Sequence, residues 1–192
     1  MAQDEILNSQ ASVALLGEPI LKKKAKSLVI PDDLPFALAL SKRMLIMLES
    51  LGERIGLAAP QIFESVQLFI YRIPQTTHAR YQTQTECIPL TTMINPIWTP
   101  LSNERNEGWE ACISVPGLMG KVSRYTNISC TYTDLAGERI EIQAQGFHAR
   151  VIQHEADHLD GVVFTDRMKD LSTLGFEDTI LKQQFVDIAD VA

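Results

Sequence analysis

The sequence predicts an α+β domain. Three observations carry this: helical spacing of apolar residues in separated stretches, strand-like runs gathered between them, and no regular strand–helix alternation along the chain.

Taken in order, residues 13–30 mix short apolar runs with the basic cluster Lys22-Lys23-Lys24 and Lys26, which reads as a solvated face. Pro31 and Asp32-Asp33 mark a helix start with an acidic first turn. Phe36, Leu40, Met44, Leu45, Met47, Leu48 and Leu51 then recur near helical spacing up to Gly52, which predicts an amphipathic helix over 33–50. The run 66–73 reads as a strand, and the polar, aperiodic residues 74–87 as a loop. Strands are expected near 91–98 and 126–133, the second entering a turn at Asp134-Leu135-Ala136-Gly137. Residues 138–144 alternate as its hairpin partner, with one buried face. Over 147–159, Phe147, Val151, Ile152, His154, His158 and Leu159 suit a helix ended by Gly161. An amphipathic stretch over about 177–190 closes the chain.

At 192 residues the chain is expected to form one domain, 1–192, with a core of its own. A hydrophobic fraction of 45% with 21% charged residues is ordinary for a soluble globular protein. The net charge of −7 argues against a surface that tracks nucleic-acid phosphates. No segment reaches the roughly 18 apolar residues of a membrane helix. The start Met1-Ala2-Gln3-Asp4-Glu5 lacks the pattern of a signal peptide. Cys87, Cys112 and Cys130 form no Cys-x-x-Cys pair, so a reducing cytoplasm is expected rather than a disulfide framework.

Chemistry concentrates in three places. The first is His154-Glu155-Ala156-Asp157-His158: on a helix, residues four apart share a face, so both imidazoles can reach one metal ion with Glu155 beside it. Such an ion acidifies a water, and an adjacent carboxylate can act as general base. Two surface histidines brought together by chance are the alternative. A third ligand is needed, and a third histidine after His-x-x-Gly-x-x is excluded, because Phe164 stands there. Glu177 and Cys112 remain. Cys112 lies in the second place, Trp109-Glu110-Ala111-Cys112-Ile113-Ser114-Val115-Pro116-Gly117, where it is either a core residue or a thiolate ligand. The third place, Gly56-Leu57-Ala58-Ala59-Pro60-Gln61, combines small residues with an amide donor, or is simply a tight packing loop.

Together and in this order, Arg54-Ile55-Gly56-Leu57-Ala58-Ala59-Pro60-Gln61, Glu110-Ala111-Cys112-Ile113-Ser114 and Gln153-His154-Glu155-Ala156-Asp157-His158 resemble the peptide deformylase family. The resemblance runs from about residue 13, where Glu18-Pro19-Ile20-Leu21-Lys22 looks like the family's opening, to about 168. Arg124 and Gly146-Phe147 also fall at family-like positions.

The resemblance implies antiparallel or mixed sheets around a central helix that carries the histidine motif, with an N-terminal and a C-terminal helix. It implies Cys112, His154 and His158 as ligands of Fe²⁺, for which Zn²⁺, Ni²⁺ or Co²⁺ can substitute. The implied reaction removes the formyl group from N-terminal formyl-methionine, on N-formylmethionyl peptides and nascent chains at the ribosome. Glu155 would be the base, and the Gln61 amide and Ile113 N–H would stabilise the oxyanion. Gly56 would offer backbone to the substrate. Phe147, Val151 and Ile55 are candidates for a methionine pocket, with core packing as the alternative. Glu110, Gln153 and Asp157 are candidates to accept from the ligating histidines.

Two residues depart from the family pattern: Arg54 and Ala111 replace motif glycines. If either position needs positive φ, a side chain costs about 1–2 kcal/mol. An active enzyme with altered substrate preference or inhibitor binding is expected. The rival readings are a metallopeptidase that uses Glu177 and a catalytically silent relative that serves as a binding module.

Overall fold

The computed structural model of the protein describes residues 12–52, 54–74 and 87–189. Its strands are β1 (Gly56–Ala58), β2 (Leu68–Ile73), β3 (Ile88–Pro100), β4 (Arg105–Cys112), β5 (Val115–Tyr125), β6 (Asn127–Thr133), β7 (Arg139–Gln145) and β8 (Gly175–Phe176). Its α-helices are α1 (Leu34–Ser50), α2 (Gly146–Leu159), α3 (Phe164–Arg167) and α4 (Glu177–Ala189). Five strands form one antiparallel sheet in the order β1-β2-β3-β6-β7, and three form another in the order β4-β5-β8.

The larger sheet lies between two helices because its strand β2 is apolar on both faces. In β2, alternate side chains leave by opposite faces. Phe69 and Tyr71 pack with Ile128, Cys130 and the α2 residues Val151 and Ile152, while Leu68 and Ile70 pack with Leu40, Met44 and Leu48 of α1. Each such side chain, fully buried, stabilises by roughly 1.5–3 kcal/mol. Helix α2 also touches β1 and β5, so it sits where the two sheets meet.

The helix predicted over 33–50 is observed as Leu34–Ser50, but turned: Ala37 and Ser41 face inward, while Phe36 is 42% exposed. The small residues let the helix approach the sheet, and Ser41 Oγ shares a hydrogen bond with Thr92 Oγ1 at 2.8 Å. Asp33 does not cap this helix; its carboxylate accepts from the Val29 N–H at 2.7 Å. The predicted hairpin is β6–β7. Asp134 Oδ1 closes its turn by accepting from the Ala136 and Glu138 N–H groups. Of the basic cluster, Lys22 pairs with Asp166 and Lys24 with Asp160 on the exposed surface.

Sequence reasoning assigns no strand to 105–125, where the structure places β4 and β5, or to 56–58, where β1 lies. Gly108, Pro116, Gly117, Gly120 and several buried charges hide the period-two pattern of that hairpin. Most of the loop expected over 74–87 lies outside the described residues.

Candidate metal centre

Nearly every residue of α2 is buried, polar ones included: Arg150, Gln153, Glu155, Asp157 and His158. Enclosed polar groups need partners inside the protein, and those partners build the site. His154 and His158, one turn apart, stand edge to face with ring centroids 5.1 Å apart. Cys112 ends β4, where the register with β5 slips between Ala111 and Cys112; such a bulge re-aims a side chain. Its Sγ lies 3.3 Å from His158 Nε2, and the ligand-type atoms of Cys112, His154 and His158 all lie within 4.8 Å of one another.

Glu110 fixes the orientation of His154. Its carboxylate receives Arg124 through Nε and Nη2, both at 2.9 Å, and Arg150 Nη1 at 2.8 Å. Burial pushes the Glu110 carboxyl up, but Arg124 and His154 outweigh it and hold it well below the usual carboxylate range. An ionised carboxylate can only accept. His154 Nδ1 therefore donates to Glu110 Oε2, at 2.9 Å, and the ring turns its Nε2 to the cluster. The Cys112 thiol, which burial would push up, is instead brought well below its ordinary value by the His158 and His154 imidazoles. His154 is raised well above its own ordinary value despite burial, because Cys112 and Glu110 favour its charged form. A thiolate and two imidazoles fit a divalent cation, which takes the place of that proton.

Glu155, next along α2, rests its carboxyl against Gly56. A Cβ at Gly56 would stand 2.7 Å from Glu155 Cδ. To the substrate contact that the family resemblance implies for this glycine, the structure adds this neighbour. Glu155 Oε2 is buried and has no hydrogen-bond partner among the described residues. Burial pushes the pKa of Glu155 up to about 7 against the two imidazoles, with Cys112 and Glu110 adding to the rise.

Gln61 is aimed by its own backbone. Its Oε1 accepts from the Ala58 N–H at 2.8 Å, so its Nε2 points to Cys112 Sγ at 3.3 Å and Ser114 Oγ at 3.1 Å. Two bonds brace this corner from behind: Ala14 N–H to Gln61 O at 2.8 Å and Leu16 N–H to Ser114 O at 2.7 Å. Ile113 stands in the two-residue link between β4 and β5. Ile113, Ile55, Gly56, Phe147 and Val151 all line one cleft, together with Gln61, Cys112, His154 and Glu155.

Not every sequence-predicted residue reaches the centre. Gln153 does not meet a ligating histidine: it exchanges hydrogen bonds with the Tyr125 backbone, at 3.1 and 2.9 Å, and donates to Ala149 O. Asp157 binds Arg124 and Arg167, so it reaches His154 only through Arg124 and Glu110. Glu177 is absent from the cluster that could hold a metal among the described residues. Ala111 has no positive φ, so the backbone cost attached to that condition does not arise there; for Arg54 that angle turns on Glu53, which lies outside the described residues. Arg150 escaped the sequence reading; its only signal is an arginine one turn before His154, beside Gly108, where a Cβ would meet its guanidinium at 2.8 Å.

A buried thiolate and two imidazoles beside an unpartnered carboxylate, opening on an apolar cleft, are the equipment of a mononuclear metallohydrolase. The sequence model for polypeptide deformylase matches residues 10–173, and the chain belongs to the peptide deformylase family. Peptide deformylase 1 of Nitrosomonas europaea is 43% identical over 131 residues, 68% of this chain and 73% of the relative. Peptide deformylase 1 of Prochlorococcus marinus is 38% identical over 182 residues, 92% of this chain and 86% of the relative. The Met-Ala-Ser-bound crystal structure of a class I type b peptide deformylase from Acinetobacter baumannii shares the fold. It matches with a TM-score of 0.73 and 36% identity over 81% of this chain and 96% of that chain.

Proposed function

We propose a division of labour among these residues for the reaction of the family, hydrolytic removal of the formyl group from N-formylmethionyl peptides. The chain is a metal-dependent hydrolase of this kind. Cys112, His154 and His158 hold the ion, and Glu110, locked by Arg124 and Arg150, keeps His154 in the tautomer that ligation needs. When bound, the ion supplies Lewis acidity toward a water and the formyl oxygen. Iron(II) is the proposed native ion; zinc, nickel or cobalt suits the same donors.

Glu155 takes the proton of the attacking water and passes it to the departing amine, so that formate and a free N-terminus result. Its raised pKa suits both halves of that task. Gln61 Nε2 and the Ile113 N–H stabilise charge on the formyl oxygen, each contributing about 3 kcal/mol. β1 is an edge strand bordering the cleft. A peptide laid along it as an added strand directs its methionine toward Phe147, Val151 and Ile55. From the family's reaction alone we place the substrates among nascent chains as they leave the ribosome, in the cytoplasm. No helix among the described residues is long and apolar enough to cross a membrane.

The observation that carries this reading is the meeting of Cys112, His154 and His158, with Cys112 and His154 lining one cleft beside the unpartnered carboxylate of Glu155. Formate release from formyl-Met-Ala-Ser by iron-loaded protein tests it, beside Glu155→Ala. The variant should bind metal normally and turn over roughly 10²–10⁴-fold more slowly. Absence of turnover with bound iron, nickel and zinc alike would sink the reading.

A further inference from the structure

We propose that Arg54 selects formyl-peptides that carry a carboxylate side chain at their third residue. This rests on the deformylase reading and deepens it. Arg54 lines the cleft with Ile55, Gly56 and Trp109 and is half-buried. The other charged groups of the cleft are committed: Glu110 and Arg150 to one another, Glu155 and His154 to the centre. Among the described residues the Arg54 guanidinium has no carboxylate partner.

Its position follows from the strand. The hydrogen bond from Arg72 N–H to Ile55 O, at 2.8 Å, continues the β1–β2 ladder back past Gly56. Extended chain advances about 3.3 Å per residue. Arg54 therefore stands about 7 Å along the edge from Gly56, on the side away from Gln61 and Cys112. With its formyl group beside Glu155 and its methionine level with Gly56, a peptide running outward along this edge brings its third residue, two positions further on, level with Arg54. A guanidinium whose donors have no carboxylate partner among the described residues matches a carboxylate and repels a lysine.

The test compares kcat/KM for formyl-Met-Ala-Xaa amides with Xaa as Asp, Asn or Lys, in wild type, Arg54→Lys, Arg54→Ala and Arg54→Glu. The Asn substrate is the reference within each variant, so a general loss of activity cancels. Wild type should favour Asp over Lys by about fivefold, as expected of a half-exposed charge pair. Lysine at 54 should keep the order, alanine erase it and glutamate invert it. About 1 M salt should compress the ratio. Formyl-Met-Ala-Ser as free acid and as amide separates the two carboxylate sources. A preference confined to the free acid would overturn side-chain selection. Equal rates for Asp and Lys in wild type, or a preference that survives alanine, would overturn the role of Arg54 alone. Failure to hydrolyse any of these substrates would instead overturn the deformylase reading.

Discussion

At Gly56 the backbone of β1 passes so close to α2 that one methyl group would stand 2.7 Å from the Glu155 carboxyl carbon. Gly56→Ala should displace the proposed base by about 1 Å and lower kcat about 10²-fold, with metal content unchanged in the same preparation. A wild-type kcat would show that Glu155 can move aside without loss. His154, Glu155 and His158 are legible as a set because ligation and proton transfer demand these residue types at helical spacing, whereas only the family resemblance singles out Cys112 from Glu177. The aim of Gln61 is not legible, since the Ala58 N–H that fixes it belongs to the fold. Gln153 misled for a related reason: adjacency to a ligand in sequence says nothing about which way a helical side chain points.

Helix α2 and the β4–β5 hairpin are sewn together by polar groups. Gln153→Leu would leave the Tyr125 N–H and C=O without their side-chain partner in a part-buried seam. A loss of about 2–4 kcal/mol is expected, read from the urea midpoint. Glu110 makes the same seam acid-sensitive. Its folded carboxyl is depressed below its ordinary value of 4.5, so its contribution is complete above that value and is lost as pH falls through the folded one. The denaturation midpoint of the wild type should therefore drop from about pH 5 downward, and Glu110→Gln should flatten that slope. Helix α1 and the β6–β7 hairpin could be read from spacing, because their buried positions are mostly apolar; α2 could be read from the spacing of Phe147, Val151, Ile152 and Leu159 even though polar groups share its interior. The β4–β5 hairpin could not: Glu110 and Arg124 occupy interior positions that a lone sequence marks as surface, and their pairing with one another and with Arg150 and Asp157 makes burial tolerable.

Across the whole molecule, the three proposed ligands come from two separately built parts, a hairpin end and a helix, with Cys112 and His158 46 positions apart in the chain. An unfolded chain offers no such cluster, so binding of the ion should stabilise the folded state by mass action. At 100 times the dissociation constant the gain is about 2.7 kcal/mol. Loading should raise the melting temperature of wild type, and Cys112→Ser should abolish most of that rise. Equal shifts in both proteins would remove Cys112 from the ligand set. The brace of Ala14 and Leu16 on Gln61 and Ser114 has a consequence in time. The earliest described residues lock against groups that are synthesised much later, so chain entropy must be surrendered over long loops before the corner exists. Maturation of the catalyst should then be a late, all-at-once event in folding, and stopped-flow refolding should show the metal signal arriving with the slowest structural phase.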